Sequence, residues 1–260
     1  MGVFIIKPKK KMVKIKGELV EMELYAPGQI DKFNPKVLGL GDIGRSSETV
    51  EAVAAMFDLA GFTNFCRQSD PHLSLPGFLN RFLNWLFFNI REDTVYKSYR
   101  KGKSLWTELP FFAKFLGDGV LFLWDAKNMD NYDMCNILIQ LRNMCARYSR
   151  VLLPELKKSF TDVPEELRCG VARGKVYSIG DGADYVGPCI NLASRLQKMS
   201  GLRFCFSKRG IDLNGMSQKT AAKYEVRSVF IRGVGDELIC MEKWNFKQLK
   251  VKEQALYKEV

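Results

Sequence analysis

From residue 50 onward the chain exchanges two hydrophobic periods, and this limits what it can fold into. Val53 to Leu59 is a strand-length apolar run interrupted only by Asp58 near its end. Leu75 to Ile90 then carries apolar residues at helical spacing. Phe111 to Asp125 reads as two strands around a tight Gly-Asp-Gly turn, and Met129 to Tyr148 as a second helix with an apolar stripe. Strand-length runs alternating with helix-length stretches specify a sheet covered by helices. Leu167 to Ile179 predicts two short strands around Arg173-Gly174. Gly187-Pro188 opens a third helix over Cys189 to Met199, since proline suits a first helical position. Phe204 to Ser207, Val226 to Ile231 and Glu237 to Trp244 read as further strands, and the last 15 residues as a peripheral helix.

The first 45 residues have a different texture. Met12 to Tyr25 alternates apolar residues with Lys and Glu, as one or two amphipathic strands would, and Ala26 to Pro35 is turn-rich. Gly39 to Gly44 (GLGDIG) formally matches a dinucleotide-binding fingerprint. That chemistry needs a preceding strand, a long following helix and a later acidic residue. The next strand candidate follows after only about ten residues, so the segment reads as a glycine-rich linker. The expected organisation is an extension over 1–45, a catalytic domain over 46–245 and a tail over 246–260.

Composition narrows the function classes. Of 260 residues 47% are hydrophobic, enough for a sizeable core. The longest apolar patch, Phe78 to Ile90, is broken by Asn80, Arg81, Asn84 and Asn89, so no membrane span is expected. The N-terminal charges follow the apolar residues, the reverse of a signal peptide. Gly2 is followed by Ile6 where a myristoylation signal has Ser or Thr. A cytoplasmic protein is expected. Seven cysteines without a CxxC pair, and one histidine (His72), favour reduced thiols over disulfides or structural zinc. The net charge of +11 includes six lysines between Lys7 and Lys16. Such charge suits a solvated basic segment or attraction of a polyanionic substrate. A nucleic-acid module has only this charge in its favour.

Three segments carry candidate chemistry. In Phe57-Asp58-Leu59-Ala60-Gly61-Phe62-Thr63 an aspartate near a strand end precedes a turn whose amides could cradle phosphate. In Lys114-Phe115-Leu116-Gly117-Asp118-Gly119 a second aspartate sits at a hairpin apex. Two carboxylates on strand tips suit hard divalent cations that share their remaining ligands with phosphate oxygens. In Asp184-Tyr185-Val186-Gly187-Pro188-Cys189-Ile190-Asn191-Leu192-Ala193-Ser194-Arg195, Asn191 and Arg195 lie four apart and share one helix face.

In order and spacing these segments resemble the signature of the class III adenylate and guanylate cyclases, over roughly residues 50 to 245. The resemblance implies an α+β fold, a ferredoxin-like βαββαβ cyclase catalytic domain here bearing a basic N-terminal extension. It implies closure of a nucleoside triphosphate to a 3′,5′-cyclic monophosphate with release of pyrophosphate. Asp58, Asp118 and the Leu59 carbonyl would hold two divalent metals, Mn²⁺ or Mg²⁺. The Gly61, Phe62 and Thr63 amides would hold phosphates, Asn191 the ribose, and Arg195 the charge developing on the α-phosphate. Lys114 and Asp184 fall on base-reading positions, Lys175 on a triphosphate contact, and Phe57, Phe115 and Tyr185 add bulk near the base. Sites shared by two protomers imply a homodimer. One departure is Val234, where the family usually has the second lysine of a K-G-K-G loop; Arg232 or Lys175 would compensate. A lysine–aspartate pair can satisfy adenine, uracil or cytosine and suits guanine badly. The FDLAGFTNFC, KFLGDGVLFLWD and DYVGPCINLASRLQ runs also resemble the small bacterial pyrimidine cyclases of antiphage systems. That implies UTP (giving cUMP) or CTP as substrate and a separate effector that reads the product. Adenylate cyclase is the alternative, and a nucleotide-binding relative without turnover the second.

Overall fold

A computed structural model of the chain describes residues 7–99 and 102–260. The first six residues, which bear on the signal and myristoylation readings, lie outside them. In chain order the elements begin with β1 (Lys9–Ile15), β2 (Glu18–Leu24), α1 (Pro27–Ile30) and β3 (Thr49–Ala60). There follow α2 (Phe62–Phe65), α3 (Pro71–Thr94), β4 (Val95–Tyr99), β5 (Gly102–Leu105), β6 (Phe112–Phe115) and β7 (Gly119–Asp125). Next come α4 (Asn131–Arg147), α5 (Leu153–Lys157), β8 (Glu166–Ile179), β9 (Asp184–Val186), α6 (Pro188–Leu196), β10 (Phe204–Ser207) and α7 (Gln218–Ala221). The chain ends with β11 (Tyr224–Ile231), β12 (Gly235–Glu242), α8 (Lys243–Gln248), α9 (Val251–Gln254) and β13 (Tyr257–Lys258). Contacts divide the described residues into one unit up to residue 49 together with 177–186, and a larger one formed by the rest.

The larger unit is built on a mixed sheet in the order β13-β11-β12-β10-β8-β3-β7-β6. β7 pairs antiparallel with both β3 and β6, so β3 and β6, joined through α3, run parallel with β7 between them. With α4 and β8 this completes a βαββαβ unit of order β8-β3-β7-β6, a split βαβ arrangement. β3 is buried on both faces over Ala52 to Phe57, which explains its apolar run there. Val53, Ala55, Phe57 and Leu59 face the main core, which holds Phe78, Phe82 and Leu86 of α3 and Ile137, Leu138 and Leu141 of α4. Ala52, Ala54 and Met56 bury the opposite face, and Asp58 shares their parity. An aromatic cluster staples α2 onto α3, with the Phe65 and Phe78 ring centres 4.5 Å apart.

The smaller unit contains the β1–β2 hairpin, turned at Lys16 (φ 50°) and Gly17 (φ 94°). Positive φ at both turn residues is the pairing that matches strand twist. GLGDIG follows a 3₁₀ turn capped by Gly39 and leads into β3, with no helix behind it, so the linker reading stands. In this unit β9 pairs antiparallel with the end of β8.

The structure departs from the sequence reading in places. Residues 166–179 form one strand of 14 residues rather than two short ones. Gly174 leaves room for the Cys189 side chain, 3.2 Å from where a Cβ would stand, and does not break the strand. Trp244 lies in α8 rather than at a strand end. The tail holds the end of α8, the single helical turn α9 and then β13, which pairs with β11. The β4–β5 hairpin and β9 carry no strong periodic signal in the sequence. All seven cysteines are free, six of them buried. Burial pushes the Cys135 and Cys189 thiols up to about 11 and Cys240 up to about 12, which keeps them protonated and unreactive.

Candidate active site

The two aspartates meet because β3 and β7 are adjacent and in register. Asp58 is opposite Gly119, and the Leu59 amide donates to the Asp118 carbonyl at 3.0 Å. Gly119 is required there, since a Cβ would fall 2.0 Å from the Phe57 carbonyl oxygen. Asp118 is exposed at the apex beside Gly117 (φ 97°), while Asp58 is half-buried. Burial raises the Asp58 pKa first, the Asp118 charge raises it further, and Lys198 and Arg168 oppose the rise. The Asp118 charge disfavours ionisation of Asp58, a cost that a divalent cation at the pair would relieve. Among the described residues no group of three or more His, Cys, Asp or Glu could hold a metal alone. An oxygen-only pair instead suits Mg²⁺ or Mn²⁺ completed by substrate phosphates, so the donor set fits the expected metals.

Gly61 adopts φ 91° and starts the single turn α2. The Asn64 and Phe65 amides turn back to the Gly61 carbonyl, and the Cys66 amide to that of Phe62. A helix's first amides have no intrahelical acceptor, so those of Phe62 and Thr63 stand ahead of the turn. The Phe62 ring packs on Phe65 and Phe78, which fixes the turn directly after Asp58. Phe57 differs from the expectation of bulk beside a base. Its ring is fully buried and edge-on to Phe122, with 6.1 Å between ring centres, so only its backbone could meet a substrate. The Leu59 side chain is likewise core, consistent with a role for its carbonyl alone.

Asn191 and Arg195 are exposed on α6 and line one depression of about 500 Å³ with Ser194, Lys198, Arg232, Gly233 and Val234. Its shape follows from close packing. A Cβ on Gly187 would sit 2.5 Å from the Lys175 carbonyl oxygen, and one on Gly170 2.3 Å from the Gln197 nitrogen. Both glycines therefore let α6 lie directly against β8. Arg232, Gly233 and Val234 belong to the β11–β12 turn, closed by the Val234 amide on the Ile231 carbonyl at 2.9 Å.

The structure thus brings Asp58 and Asp118 together, and Asn191 with Arg195. Neither carboxylate lines the basic depression, and Lys175, exposed on β8, does not line it either. Lys114 is on β6, opposite Leu121. Asp184 is on β9 in the smaller unit, where its side chain accepts from the Tyr185 amide at 2.9 Å. Lys198 was missed by sequence reasoning, although its spacing from Asn191 and Arg195 (seven and three residues) places it on their face.

Neither a protein-family model nor a curated protein sequence matches the chain. Among solved structures it is similar to the catalytic core of a rhodopsin-guanylyl cyclase with converted specificity, in complex with ATPαS. That likeness has 17% identity over 76% of this chain and 98% of the other, with a TM-score of 0.50. It is also similar to the guanylate cyclase domain of RhGC from Catenaria anguillulae in complex with GTP. There the identity is 19% over 75% of this chain and 100% of the other, with a TM-score of 0.48. The fold is therefore α+β, that of a class III cyclase catalytic domain.

Proposed function

We propose that the chain is a class III nucleotide cyclase whose catalytic domain spans residues 46–245. The observation that carries this reading is the Asp58–Asp118 pair on adjacent strand tips, in a chain that also gathers Asn191 and Arg195 in one basic depression. Asp58, Asp118 and the Leu59 carbonyl would hold two divalent cations. When bound, such ions lower the pKa of a hydroxyl and neutralise departing phosphates. The chain's own groups do the rest. The Gly61, Phe62 and Thr63 amides receive phosphate oxygens, and Asn191 fixes the ribose so that its 3′-oxygen faces the α-phosphorus. As that oxygen forms its bond to phosphorus, the bond to the pyrophosphate oxygen breaks. Arg195 presents its planar fork to the charge that builds on the α-phosphate.

Neither carboxylate lines the depression, and the cyclase resemblance implies a homodimer in which each site draws its aspartates from one protomer and its Asn191 and Arg195 from the other. Lys114 and Asp184 are assigned to the base on sequence pattern, with Lys175 as a further phosphate contact. That pair accommodates uracil, cytosine or adenine, and the resemblance to antiphage pyrimidine cyclases, whose product a separate effector reads, favours UTP.

The test offers ATP, GTP, CTP and UTP separately with Mn²⁺ and identifies products by mass spectrometry. Cyclic UMP is expected. Cyclic AMP alone would replace the pyrimidine reading with adenylate cyclase, and no cyclic product from any triphosphate would overturn the enzyme.

A further inference from the structure

The depression beside α6 holds more positive charge than a ribose and an α-phosphate require. Arg195, Lys198 and Arg232 all line it, and no carboxylate does. Some arginines elsewhere carry a counter-charge: Arg142 pairs with Glu242 at 2.6 Å, Arg147 with Asp93 at 3.0 Å, and Arg227 with both Glu225 and Glu259. Among the described residues the three cations of the depression form no ion pair. The Asp58 charge acts on Lys198, but no carboxylate stands among the three cations. Like charges that converge raise one another's energy, so the arrangement favours a polyvalent anion. Position separates their roles. Arg195 is within α6, beside Asn191, whereas Lys198 lies just past its last turn, its amide donating to the Arg195 carbonyl at 3.1 Å. Arg232 belongs to the β11–β12 turn. A linear polyphosphate has its charges spread over a length that such a row can follow, and lysine serves phosphate as a movable point charge.

We propose that Lys198 is a substrate-binding residue that contacts the terminal phosphates of a polyphosphate chain, with Arg232 beside it. The inference deepens the cyclase reading and rests on it for the identity of the substrate, but the binding itself needs no turnover. Inorganic tripolyphosphate is therefore the probe, titrated calorimetrically into the full-length chain without metal at fixed ionic strength. Lys198→Ala is expected to weaken binding about tenfold, as loss of one charged hydrogen bond does. Lys198→Arg should retain most of the affinity. Adding Val234→Lys to Lys198→Ala should recover it, because Val234 lines the same depression. Lys219→Ala, outside the depression, should bind as wild type.

Unchanged affinity in Lys198→Ala overturns the proposal, and so does equal weakening by Lys219→Ala, which would mean diffuse surface charge. With a converted triphosphate, Lys198→Ala should raise KM more than it lowers kcat, since a terminal-phosphate contact exists before and during reaction. An unchanged KM would sink the Lys198 assignment and leave the cyclase reading intact. Tripolyphosphate binding that follows the expected order, with no triphosphate converted, would sink the cyclase reading and leave the anion site.

Discussion

Asp58 shows how a functional residue works against stability. Its folded-state pKa is raised by burial and by Asp118. Below the ordinary value of 3.8 both folded and unfolded chains hold the proton. As pH climbs from there toward the folded value, the unfolded chain releases it first. The folded state then binds more protons than the unfolded one, so stability falls through that window and stays lower at neutral pH. Asp58→Asn should therefore melt at a higher temperature than wild type at pH 7, with the gain vanishing below about pH 4, while metal-dependent turnover is lost. Thermal melts at pH 3.5 and 7 check this, and a lower melting temperature at pH 7 would refute it. Asp118→Asn should also abolish turnover, and should move the Asp58 titration down, which carboxyl NMR would read. The sequence made the type and spacing of both aspartates legible, because strand tips and glycine turns have local signatures. It did not reveal that the Phe57 ring turns inward, which depends on strand parity against α3 and α4.

Among the elements, packing distance decides more than propensity. β3 and β7 can bring their aspartates together only while Gly119 stays bare. Gly119→Ala must displace the Phe57 carbonyl and is expected to cost about 1–3 kcal/mol by overpacking, with loss of Mn²⁺ binding measured by calorimetry. Gly77, inside α3, is the opposite case. A Cβ there would meet the Phe160 ring at an ordinary 3.4 Å, so Gly77→Ala should stabilise the fold by about 0.5–1 kcal/mol in urea melts. Equal destabilisation by both substitutions would show that local crowding is not the cause. The same distinction explains what could be read beforehand. α3, α4 and α6 announce themselves by apolar period, and β3 by its apolar run. β8 reads as two strands in the sequence because Arg173-Gly174 looks like a turn. Its glycine answers to a neighbouring side chain instead, and that partner is distant in sequence. β13 is two residues long, and only its pairing with β11 defines it.

For the molecule as a whole, the decisive question is whether one chain can complete a site. Neither aspartate lines the depression that holds Asn191 and Arg195, and a two-fold dimer would set one protomer's aspartates against its partner's depression twice. If so, Asp58→Ala and Arg195→Ala proteins, each inactive alone, should complement when subunits exchange. In a mixed dimer one site inherits both lesions and the other inherits neither. Random exchange of equal amounts makes about half the dimers mixed, so about a quarter of wild-type activity should return. Subunit exchange is verified by mass spectrometry of differently tagged chains before cyclic nucleotide is assayed. A site contained within one protomer predicts no recovery at any mixing ratio, because each chain would still carry its own defect. Recovery that rises and falls with the fraction of mixed dimers would separate the two architectures, since only a shared interface makes activity depend on the product of the two variant concentrations.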